Sequence, residues 1–331
     1  MSKVLVTGGA GYIGSHVVYA LLDAGETPVV VDNLTTGNAF AVPSEVRFAR
    51  LDVGDEAGIM ALIREEGIDA VMHFAAFSLV AESTERPLDY YINNTANTAK
   101  LWRACQRMGV KHVVFSSTAA TYGDVGLEPV AEEAETRPVN PYGWSKLFSE
   151  QTLHDALQTS DMEAAILRYF NVAGADAALR TGQATHVATH LVKVAAEVVV
   201  GKRTGMTING DDYATPDGTC VRDYIHVVDL ANAHLAALNY LRGGGSTLTL
   251  NAGYGHGLSV KQVVDAIGRV TGSPLDAPIG PRRAGDPASI VADVGRIKQI
   301  LNWSPIHDDI DEIVGSAIAW EQKLLEIKEK R

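Results

Sequence analysis

The chain has 331 residues, of which 46% are hydrophobic, enough for one large domain or two smaller ones that share a cleft. Its formal net charge of -12 argues against bulk binding to nucleic acid or to an anionic membrane, and no stretch reaches the length of a membrane-spanning helix. The two cysteines, Cys105 and Cys220, lack metal-ligand spacing, so we expect reduced thiols, no metal site and a cytoplasmic location.

Apolar runs alternate with helical patterns through the first half of the chain, and we expect no signal peptide ahead of the first run. The runs predict strands at Lys3–Thr7, Thr27–Val31, Val46–Leu51, Ala70–His73, Lys111–Ser116 and Ala164–Arg168. Helices are predicted between them, at about Tyr12–Ala24, Glu56–Glu65, Pro87–Met108 and Pro141–Gln158. Alternating strands and helices form a parallel sheet with right-handed crossovers, so we predict an α/β fold with a Rossmann-type doubly wound sheet.

The alternation loosens after Asn171. Helices are predicted at Ala188–Val200 and Val260–Thr271, and short strands at Thr207–Asn209 and Thr247–Leu250. We therefore expect a Rossmann domain at residues 1–171 and a smaller C-terminal α/β lobe at residues 172–331. The two are expected to be interleaved, with the chain rejoining the sheet near residues 223–240.

A glycine-rich turn lies between the first predicted strand and the first predicted helix. Gly8, Gly11 and Gly14 recur every three residues, with Tyr12 and Ile13 at the helix start. Glycines there permit a tight turn and a close approach of the backbone to a pyrophosphate, which the helix N-terminus attracts. A glycine run alone can be no more than a turn, but this one stands at the first strand of an alternating pattern.

Acidic residues follow the second and third predicted strands. Asp32 lies eighteen residues after Gly14, where a carboxylate accepts hydrogen bonds from an adenosine ribose and would repel the extra phosphate of NADP. Asn33 follows it rather than an arginine. The pattern favours NAD as cofactor over a merely solvated carboxylate. Asp52 and Val53 are placed to line the adenine.

The fourth predicted strand ends in His73-Phe74-Ala75-Ala76, whose small residues let the chain pass close to a cofactor. We interpret His73 as a packed core histidine rather than a proton carrier.

Tyr142 and Lys146 lie four residues apart, a spacing that puts both side chains on one face of a helix. An ammonium beside a phenol favours the phenolate, which can act as a base. On spacing alone, however, such a pair more often just covers a helix surface.

Several blocks of residues, in this order along the chain, resemble the extended short-chain dehydrogenase/reductases. They are Gly8–Gly14, Asp32-Asn33, His73–Ala76, Tyr90–Asn94, Phe115–Thr118, Tyr122-Gly123 and Tyr142–Lys146. Three further blocks, Arg168–Gly174, Asp217–His226 and Pro281–Asp286, are similar to the UDP-glucose 4-epimerase family. The resemblance spans nearly the whole chain.

The resemblance implies a catalytic trio of Thr118, Tyr142 and Lys146, with Thr118 where the family usually has serine. Tyr142 would take the proton of the sugar 4'-hydroxyl while the sugar is transiently oxidised to a 4-keto form with bound NAD. The residues implied to line the cofactor are Gly8, Gly11, Tyr12, Ile13, Gly14, Asp32, Asn33, Asp52, Val53, Phe74, Ala75, Ala76, Asn93, Tyr142, Lys146 and Tyr169. Ser78 departs from several relatives, which carry lysine near the pyrophosphate.

The resemblance also implies a UDP-sugar site in which Arg222 and Arg283 hold the diphosphate, because a guanidinium fork suits phosphate oxygens. Taken alone, each arginine could equally be part of a surface ion pair. The other implied substrate contacts, besides Thr118 and Tyr142, are Asn171, His190, Leu191, Thr207, Asn209, Asp286 and Ile290. Ile290 stands where some relatives have tyrosine, so a wider sugar pocket could admit an N-acetyl group.

These observations predict reversible epimerisation at C4' of a UDP-hexose. The alternatives are a UDP-N-acetylhexosamine or UDP-pentose 4-epimerase and, from another class, a non-catalytic dinucleotide sensor. A 4,6-dehydratase is disfavoured because Ala119-Ala120 follow Thr118, where elimination needs an acid/base pair. The family further implies a homodimer built on the predicted helices at Pro87–Met108 and Pro141–Gln158.

Overall fold

The computed structural model describes residues 3–185, 187–283 and 285–329, so Ala284 of the block Pro281–Asp286 and the outermost residues of the two predicted lobes lie outside the described residues. The strands are β1 Lys3–Thr7, β2 Thr27–Val31, β3 Arg47–Ala49, β4 Ile68–His73, β5 His112–Thr118, β6 Glu163–Tyr169, β7 Asn171–Ala173, β8 Ile208–Asn209, β9 Val221–Arg222, β10 Tyr224–His226, β11 Leu248–Ala252, β12 Leu258–Ser259, β13 Ile279–Gly280 and β14 Ser289–Ile290. The helices are α1 Tyr12–Asp23, α2 Glu56–Glu66, α3 Val80–Glu85, α4 Pro87–Tyr90, α5 Asn97–Met108, α6 Pro141–Leu157, α7 Leu191–Val199, α8 Val227–Arg242, α9 Val260–Thr271, α10 Gly295–Leu301 and α11 Ile310–Glu329. A π-helical turn at Tyr91–Ala96 joins α4 to α5, and short 3-10 turns lie at Ala39–Ala41 and Ala119–Thr121.

A seven-stranded parallel sheet forms the centre of the molecule, with strand order β11-β6-β5-β4-β1-β2-β3. The order reverses beside β1, where the sheet passes from β1-β2-β3 to β4-β5-β6. Such a switch point opens a crevice at the carboxyl ends of the strands. The predicted Rossmann-type doubly wound sheet is confirmed.

Successive side chains of each strand pack into two separate apolar layers, one on each face of the sheet. Val4 and Val6 of β1 belong to one layer together with Leu230 of α8, whereas Leu5 belongs to the other together with Leu101 of α5. This alternation follows from the two-residue repeat of a strand. Both faces of the sheet are therefore covered by helices, which is why the strands read as continuous apolar runs.

The place where the chain returns to the sheet differs from the prediction. Residues Tyr224–His226 pair with Asn171–Ala173 in a separate two-stranded sheet, and Val227–Arg242 is a helix packed on the sheet face. The strand that rejoins the central sheet is Leu248–Ala252, beside β6. The crossover helix has to come first, since a parallel neighbour cannot be reached by a short turn. The prediction placed this strand in the smaller lobe.

Short strands at the other end of the chain form a three-stranded sheet, β12-β9-β14, and a pair, β13-β8. They bring residues 207–210, 220, 222, 285–287 and 290 over the carboxyl edge of the central sheet. The division into lobes at residue 171 stays a prediction.

Candidate functional site

One large cavity of about 870 Å³ lies at the carboxyl edge of the sheet, under the short strands. Every residue predicted above for the cofactor, the substrate or the chemistry lines it, and so do further residues that the sequence analysis did not single out. The lining includes the glycine turn with Asp32, the start of α6 with Tyr142 and Lys146, and the arginines Arg222 and Arg283. The individual roles of these residues stay predictions.

The glycine turn presents bare backbone to the cavity. Gly8 has a left-handed φ of 69°, and a Cβ added there would lie 2.6 Å from the nitrogen of Ala75. A Cβ on Gly14 would lie 2.2 Å from the oxygen of Gly8. The first intrahelical bond of α1 joins Ser15 N to Gly11 O, and among the described residues no side chain caps this helix. The amides of Tyr12, Ile13 and Gly14 are therefore left for an anionic ligand.

Asp32 is fixed beside this turn by the backbone. Its Oδ2 accepts from Ala10 N at 3.0 Å and its Oδ1 from Leu34 N at 2.8 Å, while Leu34 itself has a left-handed φ of 63°. Burial raises the pKa of the Asp32 carboxyl, although both amides lower it. Next to it, Asn33 Nδ2 donates to Asp52 Oδ2 at 2.8 Å. An uncapped helix start with a fixed carboxylate beside it fits a dinucleotide.

His73 lies in the core, as predicted. Its ring nitrogens face the hydroxyls of Thr7 at 2.6 Å and Thr98 at 2.8 Å, and the ring stacks on Phe115. Burial, and then the charge of Lys146, hold the pKa of His73 well below its usual value. The ring is therefore neutral and already fully bonded.

The start of α6 carries Tyr142 and Lys146 into the middle of the cavity. The Asn140 side chain caps the helix by accepting from Gly143 N at 2.9 Å, and Pro141 occupies the first turn. Both features define a helix start. Tyr142 and Lys146 are 9% and 3% exposed, so the two side chains do not lie on a solvent-exposed helix surface.

Strand β5 ends against this pair. Lys146 Nζ donates to the carbonyl of Ser116 at 2.8 Å and lies 5.0 Å from the Phe115 ring centroid. Thr118 accepts from Ala120 N at 3.2 Å, and its hydroxyl also hydrogen-bonds to Tyr142. The phenol and the hydroxyl therefore meet at the end of β5, and the ammonium is held two residues earlier on the same strand.

The charge balance at Tyr142 differs from the expectation that Lys146 would lower the pKa of the phenol. Burial raises the pKa of Tyr142, and the hydrogen bond with Thr118 offsets this only in part. Burial also lowers the pKa of Lys146 to about 7, against the opposing charge of Glu150. The protein's own groups do not by themselves make a phenolate at neutral pH, because desolvation penalises both charged forms.

The two predicted arginines share one carboxylate at the far end of the cavity. Arg283 Nε and Nη2 donate to Asp286 at 2.9 and 2.8 Å, and Arg222 Nη2 lies 3.7 Å from the same carboxylate. Arg222 is 9% exposed, so it is not part of a surface ion pair. Two guanidinium groups around one carboxylate leave excess positive charge for an anion. Ile290 pairs with Arg222 across β14 and β9, which places it beside this end.

Some residues that line the cavity were not predicted from any sequence motif. Gln183 Nε2 lies 3.0 Å from His190 Nδ1, and the Gln183 carbonyl accepts from Lys193 Nζ at 2.8 Å. Burial lowers the pKa of His190, so this ring is a neutral contact. Arg203 is a third arginine at the cavity, bonded to Glu197 and to the carbonyl of Ala188. Neither Gln183 nor Arg203 belongs to a block that suggested a site.

Known proteins share this architecture over nearly the whole chain. A UDP-glucose 4-epimerase of Azospirillum brasilense is 53% identical over 322 residues, which cover 97% of this chain and 92% of that protein. The crystal structure of UDP-glucose 4-epimerase from Brucella ovis in complex with NAD matches with a TM-score of 0.93 and 40% identity, covering 96% of this chain and 98% of that one. The enzyme from Bifidobacterium longum in complex with NAD+ and UDP matches with a TM-score of 0.91 and 37% identity, covering 97% and 98%.

Residues 4–253 also match the model of the NAD dependent epimerase/dehydratase family. The match begins in β1 and ends just after β11, so it includes the glycine turn, Thr118, Tyr142 and Lys146. The sequence resemblance is confirmed by these comparisons. The chain belongs to the NAD dependent epimerase/dehydratase family.

Proposed function

We propose that this chain is an NAD-dependent enzyme that reversibly epimerises C4' of a UDP-hexose, interconverting UDP-glucose and UDP-galactose. The observation that carries the proposal is that Thr118, Tyr142 and Lys146 line the same cavity as the glycine turn, Asp32, Arg222 and Arg283. A sugar held from the arginine end reaches the phenol while its carbinol faces the cofactor end. Relatives of this chain crystallise with NAD and with UDP, which supports the same two occupants here.

When bound, NAD+ supplies the hydride acceptor and a positive charge that favours a nearby phenolate. Tyr142 takes the proton of the 4'-hydroxyl, and Thr118 holds that oxygen in place. An unperturbed tyrosine has a pKa of about 10, and a base for neutral pH needs it lower by about three units, or about 4 kcal/mol. Since burial raises the pKa of Tyr142, the phenolate depends on positive charge close to it.

Inversion requires the nucleotide to be held while the sugar turns. Arg222 and Arg283 hold the diphosphate, and His190 and Asn209 line the nucleotide end. No covalent bond to the protein is needed, and the cofactor ends the cycle in its starting state. The enzyme therefore performs an isomerisation with no net redox change.

An elimination reaction has no acid in the right place. Among the described residues, the carboxylates that line the cavity are Asp32, Asp52 and Asp286. Asp286 is paired with arginines, and Asp32 and Asp52 stand at the glycine-turn end. Ala119 and Ala120 follow Thr118 in this part of the cavity, so a 4,6-dehydratase is disfavoured.

UDP-N-acetylhexosamines and UDP-pentoses are two further candidate substrates, because the reaction at C4' is the same for these sugars. Ile290 lines the pocket with an aliphatic side chain, which leaves room that a larger aromatic residue would fill. Ile290→Tyr should therefore suppress turnover of UDP-N-acetylglucosamine more than that of UDP-glucose, if the acetylated sugar is turned over at all.

The test incubates purified protein with UDP-galactose and follows UDP-glucose, with and without added NAD+. Parallel reactions contain UDP-N-acetylglucosamine and a UDP-pentose. Tyr142→Phe should lower kcat by at least about 100-fold, since general acid–base catalysis contributes about that much, and leave UDP affinity nearly unchanged. A non-catalytic sensor would show no turnover in the parent protein and no response to this substitution.

The proposed setting is a cytoplasmic homodimer with a Rossmann domain and a smaller lobe. The free cysteines Cys105 and Cys220 are both buried, which suits a reducing compartment. In the described part of the chain, no helix is long and apolar enough to cross a membrane. Leu88, Ile92 and Phe148 are exposed apolar side chains on the two helices implied for the dimer.

A further inference from the structure

We propose that Glu150 is a positioning residue of the reaction, which keeps Lys146 as an ammonium and holds it beside Tyr142. The proposal rests on the function proposed above, and none of the sequence blocks included this residue. Tyr142, Lys146 and Glu150 follow each other at four-residue steps along α6. Side chains at such steps lie one above another on the same helix face.

Strand β5 holds both Lys146 and Glu150 through hydrogen bonds. The Ser116 carbonyl accepts from Lys146 Nζ at 2.8 Å, and the hydroxyl of the next residue, Ser117, donates to Glu150 Oε1. Glu150 is 2% exposed, so it is shielded from solvent ions. The ammonium is therefore held by Ser116 and the carboxylate by the next residue of the same strand, Ser117.

Arg168 of β6 fixes Glu150 from the other side. Its Nε and Nη2 donate to the two carboxylate oxygens at 3.0 and 2.6 Å. The guanidinium also lies 4.9 Å from the Tyr122 ring centroid, and Tyr122 donates to Asn251 at 2.7 Å. A buried carboxylate that is bonded on both oxygens cannot swing away.

The charged and titratable groups around Lys146 come from three elements. Glu150 on α6 and His73 on β4 interact with the charge of Lys146 itself, whereas Arg168 on β6 pairs with Glu150 and Tyr169 on β6 interacts with Tyr142. Burial holds His73 neutral and raises the pKa of Tyr169. Glu150 opposes the effect of burial on Lys146, whose pKa is lowered to about 7. Loss of the carboxylate would therefore lower the pKa of Lys146 further.

The consequence is a pH profile with two limbs. With NAD+ bound, its positive charge would lower the pKa of Tyr142, so that activity rises with pH as Tyr142 loses its proton and falls as Lys146 loses its own. Without the carboxylate, the ammonium form becomes less stable, so the alkaline limb moves to lower pH. The charge of one residue at one helical turn shifts such a pKa by about one to two units.

The experiment compares NAD-loaded parent protein with Glu150→Gln, which keeps the shape and removes the charge. The titration of Lys146 is followed by NMR of isotope-labelled lysine, with its signal assigned by Lys146→Arg, and kcat is measured across pH. Glu150→Gln should lower the midpoint of the Lys146 titration by about one to two pH units. The alkaline limb of the kcat profile should move to lower pH by the same amount, so that the loss of kcat relative to the parent grows with pH.

Two further variants complete the test. Glu132→Gln is the matched control, because Glu132 joins the same network through Arg168 and Asn251 without lying on α6, and its profile should be unchanged. Glu150→Asp keeps a carboxylate and should shift the limb less, and it carries the test if Glu150→Gln does not fold. A folded, NAD-binding variant with an unshifted midpoint, or a loss of kcat equal at every pH, would overturn the proposal. The Lys146 midpoint is readable even if the parent protein does not turn over UDP-galactose, which would instead refute the proposed function.

Discussion

We expect the carboxylate of Asp32 to select the cofactor. Two backbone amides orient it, and it lines the cavity beside the glycine turn. Its remaining acceptor capacity faces the cavity, where ribose hydroxyls would bind and a phosphate would be repelled. The side chain does not move to make these contacts, because both oxygens are already held.

Asp32→Asn should weaken NAD binding by about tenfold or more, since hydrogen bonds to a charged group contribute about 1.5–3 kcal/mol. NADP binding should weaken less, so the preference for NAD should shrink. Calorimetric titration of NAD-stripped protein with each dinucleotide measures both affinities. Asp55→Asn is the control, because Asp55 caps α2 outside the cavity. An unchanged ratio of the two affinities would show that Asp32 does not set the preference.

At the scale of elements, the position of α6 decides where the phenol stands. A Cβ on Gly143 would lie 2.5 Å from the carbonyl of Ala120, so the helix packs directly on the turn that follows Thr118. The Asn140 cap sets where the helix begins, two residues before Tyr142. Local capping chemistry and catalytic geometry are therefore coupled at this helix start.

Asn140→Ala should lower the free energy of unfolding by about 1 kcal/mol, because the amide of Gly143 loses its acceptor. Denaturant unfolding measures this loss, and kcat should fall as the first turn frays. Asn140→Asp keeps an acceptor at the same place and should unfold near the parent midpoint. Equal destabilisation by both substitutions would mean that the cap bond is not the cause.

At the scale of the whole molecule, an exposed apolar surface is left on one flank. Leu88, Ile92 and Phe148 are 71%, 59% and 43% exposed, and Phe148 packs with Tyr91 and Trp144. These residues belong to α4, the π-helical turn and α6. Aromatic and aliphatic side chains grouped in this way are typical of an interface. A second copy of the chain is the occupant that we propose.

Phe148→Glu should convert the dimer to a monomer, since the substitution would bury a charge at the centre of the contact. Sedimentation equilibrium at micromolar concentration measures the mass. Ile306→Glu is the matched control, because Ile306 is 71% exposed elsewhere on the surface. A parent protein that sediments as a monomer, or a dimer that survives Phe148→Glu, would contradict the proposed assembly.

Local patterns in the sequence determined most of the fold and the outline of the site. The predicted bounds of β1, β2 and α9 agree with the structure, and the Rossmann-type sheet followed from strands alternating with helices. The glycine turn, Asp32 and the Tyr142–Lys146 spacing were recognisable for the same reason. Each depends on neighbours within one turn or one strand–helix unit, where sequence distance and spatial distance agree.

The tertiary structure decided what depends on distant segments. The strand that closes the sheet is Leu248–Ala252 because α8 crosses over first, and Gln183 reaches the cavity only through long-range packing. The pairing of Glu150 with Arg168 joins α6 to β6. Burial raises the pKa of Tyr142, and the extent of burial depends on all the residues that pack around that side chain. Desolvation cannot be predicted from a local sequence pattern, so the pKa shifts in the site could be assigned only from the tertiary structure.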